Sequence, residues 1–124
     1  PPGPRQESEE ERAHSVKFLN YQALRGGTAQ VQSIMMPDIE FPGKDADALY
    51  AMELSLSMEK LNYRQLMKVH AVADECGDAQ LCDFVESEFL QDQLDSIKQV
   101  AEYVAQLKRV GGGHGLYHFD RELA

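Results

Sequence analysis

The feature that most constrains this chain is a long stretch, from Asp45 to Glu75, that contains neither glycine nor proline. Within it, side chains suited to a buried face recur at alternating spacings of three and four residues, which is the period of an α-helix. This stripe consists of Leu49, Met52, Leu56, Glu59, Tyr63, Leu66, His70 and Ala73. The stretch predicts a helix about 45 Å long, and a helix of that length with one apolar face favours a helical bundle.

The N-terminal part of the chain predicts another helix. Residues 1–7 include three prolines and a glycine, so they are predicted to be extended or disordered. Ser8 is followed by three glutamates, as at an N-cap with acids in the first turn, and a helix is predicted from there to about Met35. The stretch 36–43 carries two prolines and a glycine, which interrupt the helix and predict an extended connection that crosses the bundle lengthwise.

The C-terminal half predicts a second long helix. Gly77 suits the residue after a helix and Asp78 suits the next N-cap, so this helix is predicted from Ala79 to about Lys108. Its stripe consists of Leu90, Gln93, Ile97, Val100, Val104 and Leu107. Glycines at 111–113 end it, and two further helical turns are predicted over 116–123. No strand pattern competes, so the predicted fold class is all-α.

The composition of the chain limits the classes of partner that it is expected to bind. The chain has 21 acidic against 12 basic residues and a formal charge of −9, which argues against nucleic-acid binding and favours small cations. No apolar run approaches the roughly 18 residues that span a bilayer, so no membrane partner is expected. Cys76 and Cys82 fit neither a disulfide framework nor a zinc motif. The chain begins with proline instead of methionine, and we expect a further segment upstream.

Polar side chains interrupt the apolar stripes at three places. Glu59 and Gln93 each occupy a core position of a long helix, and Glu11 and His14 lie one turn apart on the first helix. A buried carboxylate without a partner is costly, so this pattern indicates a cation, a hydrogen-bond network or a metal. Carboxylates with one imidazole suit iron or manganese better than zinc, and Glu-x-x-His is the established pattern of di-metal helical bundles.

Each of these features also has an ordinary structural explanation. Glu-x-x-His occurs by chance in many helices. Glu59 could form a salt bridge with Lys60 or with a neighbouring helix, and Gln93 could be a buried amide that bonds to backbone groups. Periodicity alone leaves both explanations open.

The amino-acid sequences of several segments resemble those of the ferritin family, specifically its plant and green-algal type. The matching segments are Glu9-Glu10-Glu11-Arg12-Ala13-His14, Tyr21-Gln22-Ala23-Leu24-Arg25-Gly26-Gly27, Asp47-Ala48-Leu49-Tyr50-Ala51-Met52-Glu53, Met58-Glu59-Lys60, Leu81-Cys82-Asp83-Phe84-Val85-Glu86 and Gly113-His114-Gly115-Leu116-Tyr117-His118-Phe119-Asp120. The resemblance runs from about Glu7 to the C-terminus. It implies a ferritin-like four-helix bundle with a short fifth helix, with a partial di-iron domain over residues 8–124.

The resemblance also implies an activity. A ferritin stores iron: it oxidises Fe(II) to Fe(III) with dioxygen at a di-iron centre and deposits the product inside a hollow shell. The expected partners are Fe(II), dioxygen and other subunits, in a homo- or hetero-oligomeric shell of 24 subunits. Similarity to the plant type implies location in the chloroplast. The cytoplasm is the alternative location.

The resemblance assigns roles to the polar residues on the stripes. Glu11 is similar to the carboxylate that bridges the two irons, His14 to the imidazole on the first iron, and Glu59 to a ligand of the second. Gln93 is similar to the amide near that second iron. Glu10 is a candidate for an outer contact of the centre or for mineral nucleation.

A second site is implied near the third helix. Asp83 and Glu86 are similar to the acidic pair that lines the three-fold channel through which Fe(II) enters the shell, with His70 and Cys82 near its mouth. A ring of carboxylates at a pore concentrates cations, which gives this assignment a physical basis.

The sequence departs from the family pattern in two ways. Residues 1–5 replace what should precede Gln6, so the family's first long helix, with one more glutamate ligand, is missing. Ala13 and Val16 stand where many members carry acidic residues. The alternative function is therefore a non-catalytic structural subunit, or a fragment, that co-assembles with complete subunits.

Overall fold

The structure, a computed structural model, describes residues 4–36, 40 and 47–111. These residues form helices α1 (Pro4–Leu24), α2 (Asp47–Glu75), α3 (Ala79–Val85) and α4 (Gln91–Val110), with a π-helical turn (Glu86–Leu90) between the last two. The described residues contain no strand, so the all-α prediction is confirmed. The chain divides into two compact units, one of which contains α1 and the other α2 to α4.

Helix α1 begins earlier than predicted. Its first residue is Pro4, whereas Ser8, the predicted N-cap, lies inside the helix. The prediction that residues 1–7 are extended or disordered is therefore wrong from residue 4 onward. Proline is favoured at the first helical position because its missing N–H would have no intrahelical partner there and its φ angle is already helical.

The same helix ends well before the predicted end near Met35. It stops at Leu24, and Gly26 then adopts a φ of 80° and donates a backbone hydrogen bond to the Ala23 carbonyl at 3.0 Å. This left-handed conformation suits glycine, which has no Cβ to clash. Residues 27–36 have no regular secondary structure. Gly26 and Gly27 end the helix. Their effect outweighs the helical periodicity of the residues that follow them.

The junction between α2 and α3 follows its prediction. Gly77 has a φ of 68°. The Asp78 carboxylate accepts a hydrogen bond from the Leu81 N–H at 3.1 Å, and the Asp78 N–H donates to the Ala73 carbonyl at 2.8 Å. The stop at Gly77 and the N-cap at Asp78 are both confirmed.

Helices α2 and α4 pack together in opposite directions. Glu53, near the start of α2, pairs with Lys108 near the end of α4, with 2.8 Å between Oε1 and Nζ. The buried apolar side chains are Leu66, Ala73, Val85, Phe89, Val104 and Leu107. Every member of the predicted α2 stripe is buried or half-buried, so the predicted face of this helix is confirmed.

The second long helix is not continuous in the way that was predicted. The π-helical turn interrupts it, and the buried residues before, within and after that turn, Val85, Phe89 and Gln93, are four apart. A π turn closes its hydrogen bonds between residues i and i+5 and is wider than an α turn, which suits a four-residue spacing. Phe89 is consequently buried, whereas Leu90, the predicted start of the stripe, is half-buried.

Two predicted features lie outside the described residues. They are the short helix at 116–123 and most of the connection at 36–43. Among the helices that the structure describes, none combines the length and the apolar character that a membrane span requires.

Replacing the N-cap residue tests the junction. Asp78→Ala removes the carboxylate that accepts the Leu81 N–H, and we expect the free energy of unfolding to fall by about 1 kcal/mol. Denaturant titration followed by circular dichroism measures it. Asp92→Ala, an exposed aspartate on α4, is the control and should change stability by less than about 0.5 kcal/mol. Equal losses in the two variants would contradict the capping role.

Candidate metal centre

Gln93 is the buried polar residue in the part of the chain that the structure describes, with 4% of its surface exposed. It lies on α4 and faces α2. Its side-chain N–H₂ donates to the Glu59 backbone carbonyl at 3.0 Å and also to the Glu59 carboxylate. The two polar residues that interrupt the apolar stripes of α2 and α4 are therefore direct partners.

Asn62, one turn after Glu59 on α2, completes this contact. Its Nδ2 donates to the Gln93 side-chain oxygen at 3.3 Å. Both ends of the Gln93 amide are thereby hydrogen-bonded. The explanation of Gln93 as a buried amide bonded to backbone groups is confirmed, and the partner that Glu59 has in this contact is that neutral amide.

The second pair of candidate residues lies on α1. His14 Nδ1 is 3.9 Å from Glu11 Oε1, and the side chains are 25% and 55% exposed. Because the two residues are three apart on one helix, they share a face. This pair belongs to the first compact unit, and the Glu59 and Gln93 pair belongs to the second.

The start of α1 is strongly acidic. Gln6 donates to the Glu10 carboxylate at 3.2 Å. Partial burial raises the pKa of Glu7, and the negative charges of Glu10 and Glu11 raise it further. Glu7 therefore gains a proton more readily than an ordinary glutamate, since burial and two neighbouring carboxylates both disfavour its charged form.

A third set of candidates lines a pocket of about 290 Å³ at the α2–α3 junction. The lining residues are Asp74, Gly77, Asp78, Ala79, Cys82, Asp83 and Glu86. Next to it, His70 Nε2 lies 2.5 Å from Glu86 Oε1. The structure thus brings Asp83 and Glu86 to one acidic surface, and His70 and Cys82 lie close to it.

Cys82 responds to these charges. Burial raises the pKa of its thiol most, followed by the negative charges of Asp74, Glu86 and Asp78. Its Sγ also lies 3.9 Å from the His70 carbonyl oxygen. The thiolate, which is the nucleophilic and metal-binding form, is therefore disfavoured at this position.

The donor types suit hard cations. The candidates supply carboxylate oxygens and one imidazole, which fit iron or manganese. Among residues 4–36, 40 and 47–111, no three side chains of His, Cys, Asp or Glu are grouped as a metal site would require.

Sequence reasoning did not identify every residue of these surfaces. Asn62 is exposed and lies off the apolar stripe, so periodicity gave no reason to select it. Asp74 and Asp78 join the pocket because the turn at Gly77 folds the end of α2 against the start of α3. For these two, their position beside the predicted stop and restart was an available signal.

Comparison with known proteins identifies the family. Residues 5–110 match the family model of the ferritin-like domain. The chain is 57% identical to "Ferritin-2, chloroplastic" of Vigna unguiculata over 120 residues, which is 96% of this chain and 48% of that protein. It is 54% identical to "Ferritin-3, chloroplastic" of Glycine max, covering 96% of this chain and 47% of that protein.

A solved structure agrees. Ferritin from the multicellular green alga Ulva pertusa superposes with a TM-score of 0.87 at 49% identity, covering 94% of this chain and 60% of that one. Helices that carry Glu and Glu-x-x-His on their inward-facing sides are the arrangement of di-metal bundles. This chain belongs to the ferritin family. It spans about half the length of the curated relatives it matches.

Alkylation of the two cysteines tests the electrostatics of the pocket. We expect the pH midpoint for modification of Cys82 by iodoacetamide to lie above that of an ordinary thiol, because burial and three carboxylates disfavour the thiolate. Asp74→Asn should lower the midpoint, since Asp74 makes the largest charge contribution. Mass spectrometry separates Cys82 from Cys76. Asp92→Asn is the charge-matched control, and a midpoint unaffected by Asp74→Asn would contradict the assignment.

Proposed function

We propose that this chain stores iron and takes part in oxidising Fe(II) with dioxygen. The observation that carries the proposal is the contact between Glu59 and Gln93 on facing core positions of α2 and α4. Membership of the ferritin family supports it. The resemblance to ferritins assigns both Glu59 and Gln93 to the ferroxidase centre.

The chemistry follows from what each group can do. The Glu59 carboxylate is a hard oxygen donor, and as a ligand it would stabilise Fe(III) more than Fe(II). The Gln93 N–H₂ donates to that carboxylate, and this contact would orient the carboxylate as a metal ligand. Oxidation is favoured because the product is bound more tightly than the substrate.

Helix α1 contributes the other proposed ligands. Glu11 is proposed to bridge two irons, and His14 to bind one through an imidazole nitrogen. Their i, i+3 spacing presents both groups on one face. The assignment of these residues and Glu59 to one centre rests on their correspondence with the family pattern. Glu10 is proposed as an outer contact or a nucleation group.

The proposed reaction uses Fe(II) as substrate and no organic cofactor. Four Fe(II) each lose one electron, and dioxygen takes up the four electrons with four protons to give two waters. The Fe(III) product is cargo, deposited as mineral. The chain's own groups bind and orient the iron.

The acidic surface at the α2–α3 junction is proposed as the route of uptake. Asp83 and Glu86 would attract Fe(II) by their charge, in a three-fold channel formed by neighbouring subunits. Asp74 and Asp78 line the same pocket and add to the negative potential.

Assembly and location complete the proposal. A shell of 24 subunits, made of this chain or of this chain with others, is proposed from the family. Exposed apolar side chains on α2 supply surface that other chains would cover in such a shell. They include Met58, Leu61 and Val72. The relatives are named chloroplastic, which supports a plastid location.

Substitution of the proposed ligands tests the centre. Glu59→Gln and His14→Ala should each slow Fe(II) oxidation by about tenfold or more, because each removes an iron ligand. Aerobic Fe(II) addition followed by ultraviolet absorbance measures the rate, after size-exclusion chromatography shows the same assembly. Glu102→Gln, an exposed glutamate on α4, is the matched control.

Unchanged rates in both ligand variants would overturn the assignment of these residues. An assembled wild-type chain that does not oxidise iron would instead favour the alternative, a structural subunit that co-assembles with complete ferritin chains. Mixing with a complete ferritin chain before the assay separates that outcome from misfolding.

The uptake route has its own test. The double variant Asp83→Asn with Glu86→Gln should slow oxidation at limiting Fe(II) and recover at high Fe(II), because it lowers local cation concentration and leaves the centre intact. Asp92→Asn with Glu102→Gln makes the same charge change elsewhere and should behave like wild type. Equal rates at limiting Fe(II) in both double variants would contradict the route.

A further inference from the structure

A chain of three side chains crosses from α2 to α4 and back. Asn62 Nδ2 donates to Gln93 Oε1 at 3.3 Å, and Gln93 Nε2 donates to the backbone carbonyl and the carboxylate of Glu59. All three residues lie in the second compact unit. Asn62 has no place among the residues that the family pattern assigns to the centre.

The direction of the Gln93 amide matters for Glu59. An amide has a donor end and an acceptor end, and a half-turn about its last bond exchanges them. In the opposite orientation Oε1 would face two oxygens of Glu59, and neither could donate to it. The carboxylate would then lose a hydrogen bond and meet a repulsive dipole.

Asn62 supplies a further contact that favours the observed orientation. Its N–H₂ engages the Gln93 oxygen, so the Gln93 N–H₂ is left to face Glu59. Gln93 is 4% exposed, so bulk water has little access to take over that role. Asn62 itself is exposed and can be changed without opening the core.

We infer that Asn62 is a positioning residue: by donating to Gln93 Oε1 it fixes the amide so that Nε2 donates to the Glu59 carboxylate. The inference rests on the proposed function for its effect on iron, since Glu59 is the ligand being oriented. Asn62 touches neither iron nor dioxygen in this role. Its loss acts through Gln93 and weakens iron binding at Glu59.

Two substitutions separate this role from simple packing. Asn62→Asp keeps the shape but replaces the donor by an ionised acceptor, and Asn62→Ala removes the side chain. If the donor is what matters, Asn62→Asp is at least as damaging as Asn62→Ala. If only packing matters, Asn62→Asp resembles wild type and Asn62→Ala is the impaired variant.

The chain offers a matched control. Asn20 is exposed on α1. It is flanked by leucine and tyrosine, as Asn62 is on α2. Asn20→Asp therefore makes the same chemical and charge change in the same local sequence. It should leave iron binding and oxidation unchanged.

The first measurement is anaerobic Fe(II) titration by calorimetry on the assembled protein. We expect about a tenfold weaker affinity in Asn62→Asp, the lower end of the range for partners of metal ligands, because Asn62 acts through a second residue. The Fe(II) concentration for half-maximal oxidation should rise in parallel, with a smaller change in the maximal rate. Wild-type affinity in Asn62→Asp would overturn the inference.

A metal-free measurement keeps this test independent of the proposed function. In protein labelled with ¹⁵N-glutamine, the Gln93 side-chain amide signal, assigned by its loss in Gln93→Leu, should shift in Asn62→Asp and not in Asn20→Asp. A shift supports the positioning role even if Glu59→Gln leaves oxidation unchanged, which would sink the proposed function alone. An unshifted signal overturns the inference.

Discussion

One buried amide constrains the register in which α2 packs against α4. Gln93 lies in a seam that is otherwise apolar, and leaving its N–H₂ or carbonyl without a partner there would cost about 1–3 kcal/mol. The seam therefore closes well only in the register that places Gln93 beside Glu59 and Asn62. Apolar side chains alone tolerate small slips between helices, and a hydrogen-bonded amide does not. The same contact that specifies the helix pairing also orients the carboxylate proposed to bind iron.

Other polar contacts lie along the same pair of helices. Glu53 and Lys108 meet at one end, and His70 and Glu86 link α2 to the π-helical turn at the other. Exposed pairs of this kind contribute about 0–1 kcal/mol each, so they accompany the register more than they determine it. The π-helical turn has a larger geometric effect. It keeps Val85, Phe89 and Gln93 buried, while Asp83 and Glu86 stay exposed at the acidic pocket. The continuous helical segment from α3 to α4 thereby contributes both to the buried packing against α2 and to the exposed acidic pocket.

Burial and neighbouring carboxylates together shape the chemistry of two regions. Burial, and then the nearby carboxylates, raise the pKa of Glu7 at the start of α1 and the pKa of Cys82 at the α2–α3 junction. In both places like charges are held close, which is unfavourable unless a proton or a cation relieves it. Where the Cys82 thiolate is disfavoured, the carboxylate oxygens and the neighbouring His70 imidazole remain as donors. That donor set matches the hard cation proposed as the substrate of a ferritin.

The sequence by itself determined the all-α class, the buried face of α2 and the stop and N-cap at Gly77 and Asp78, because these depend on local periodicity and on single-residue conformations. It also selected Glu59 and Gln93, since a polar residue on an apolar stripe needs a partner. It misplaced both ends of α1, where several weak signals compete. Only the tertiary structure decided the π-helical turn, the direct contact of Glu59 with Gln93 and the participation of Asn62. These features depend on which side chains meet across two packed helices. The order of residues along the chain does not specify the distances between side chains on different helices.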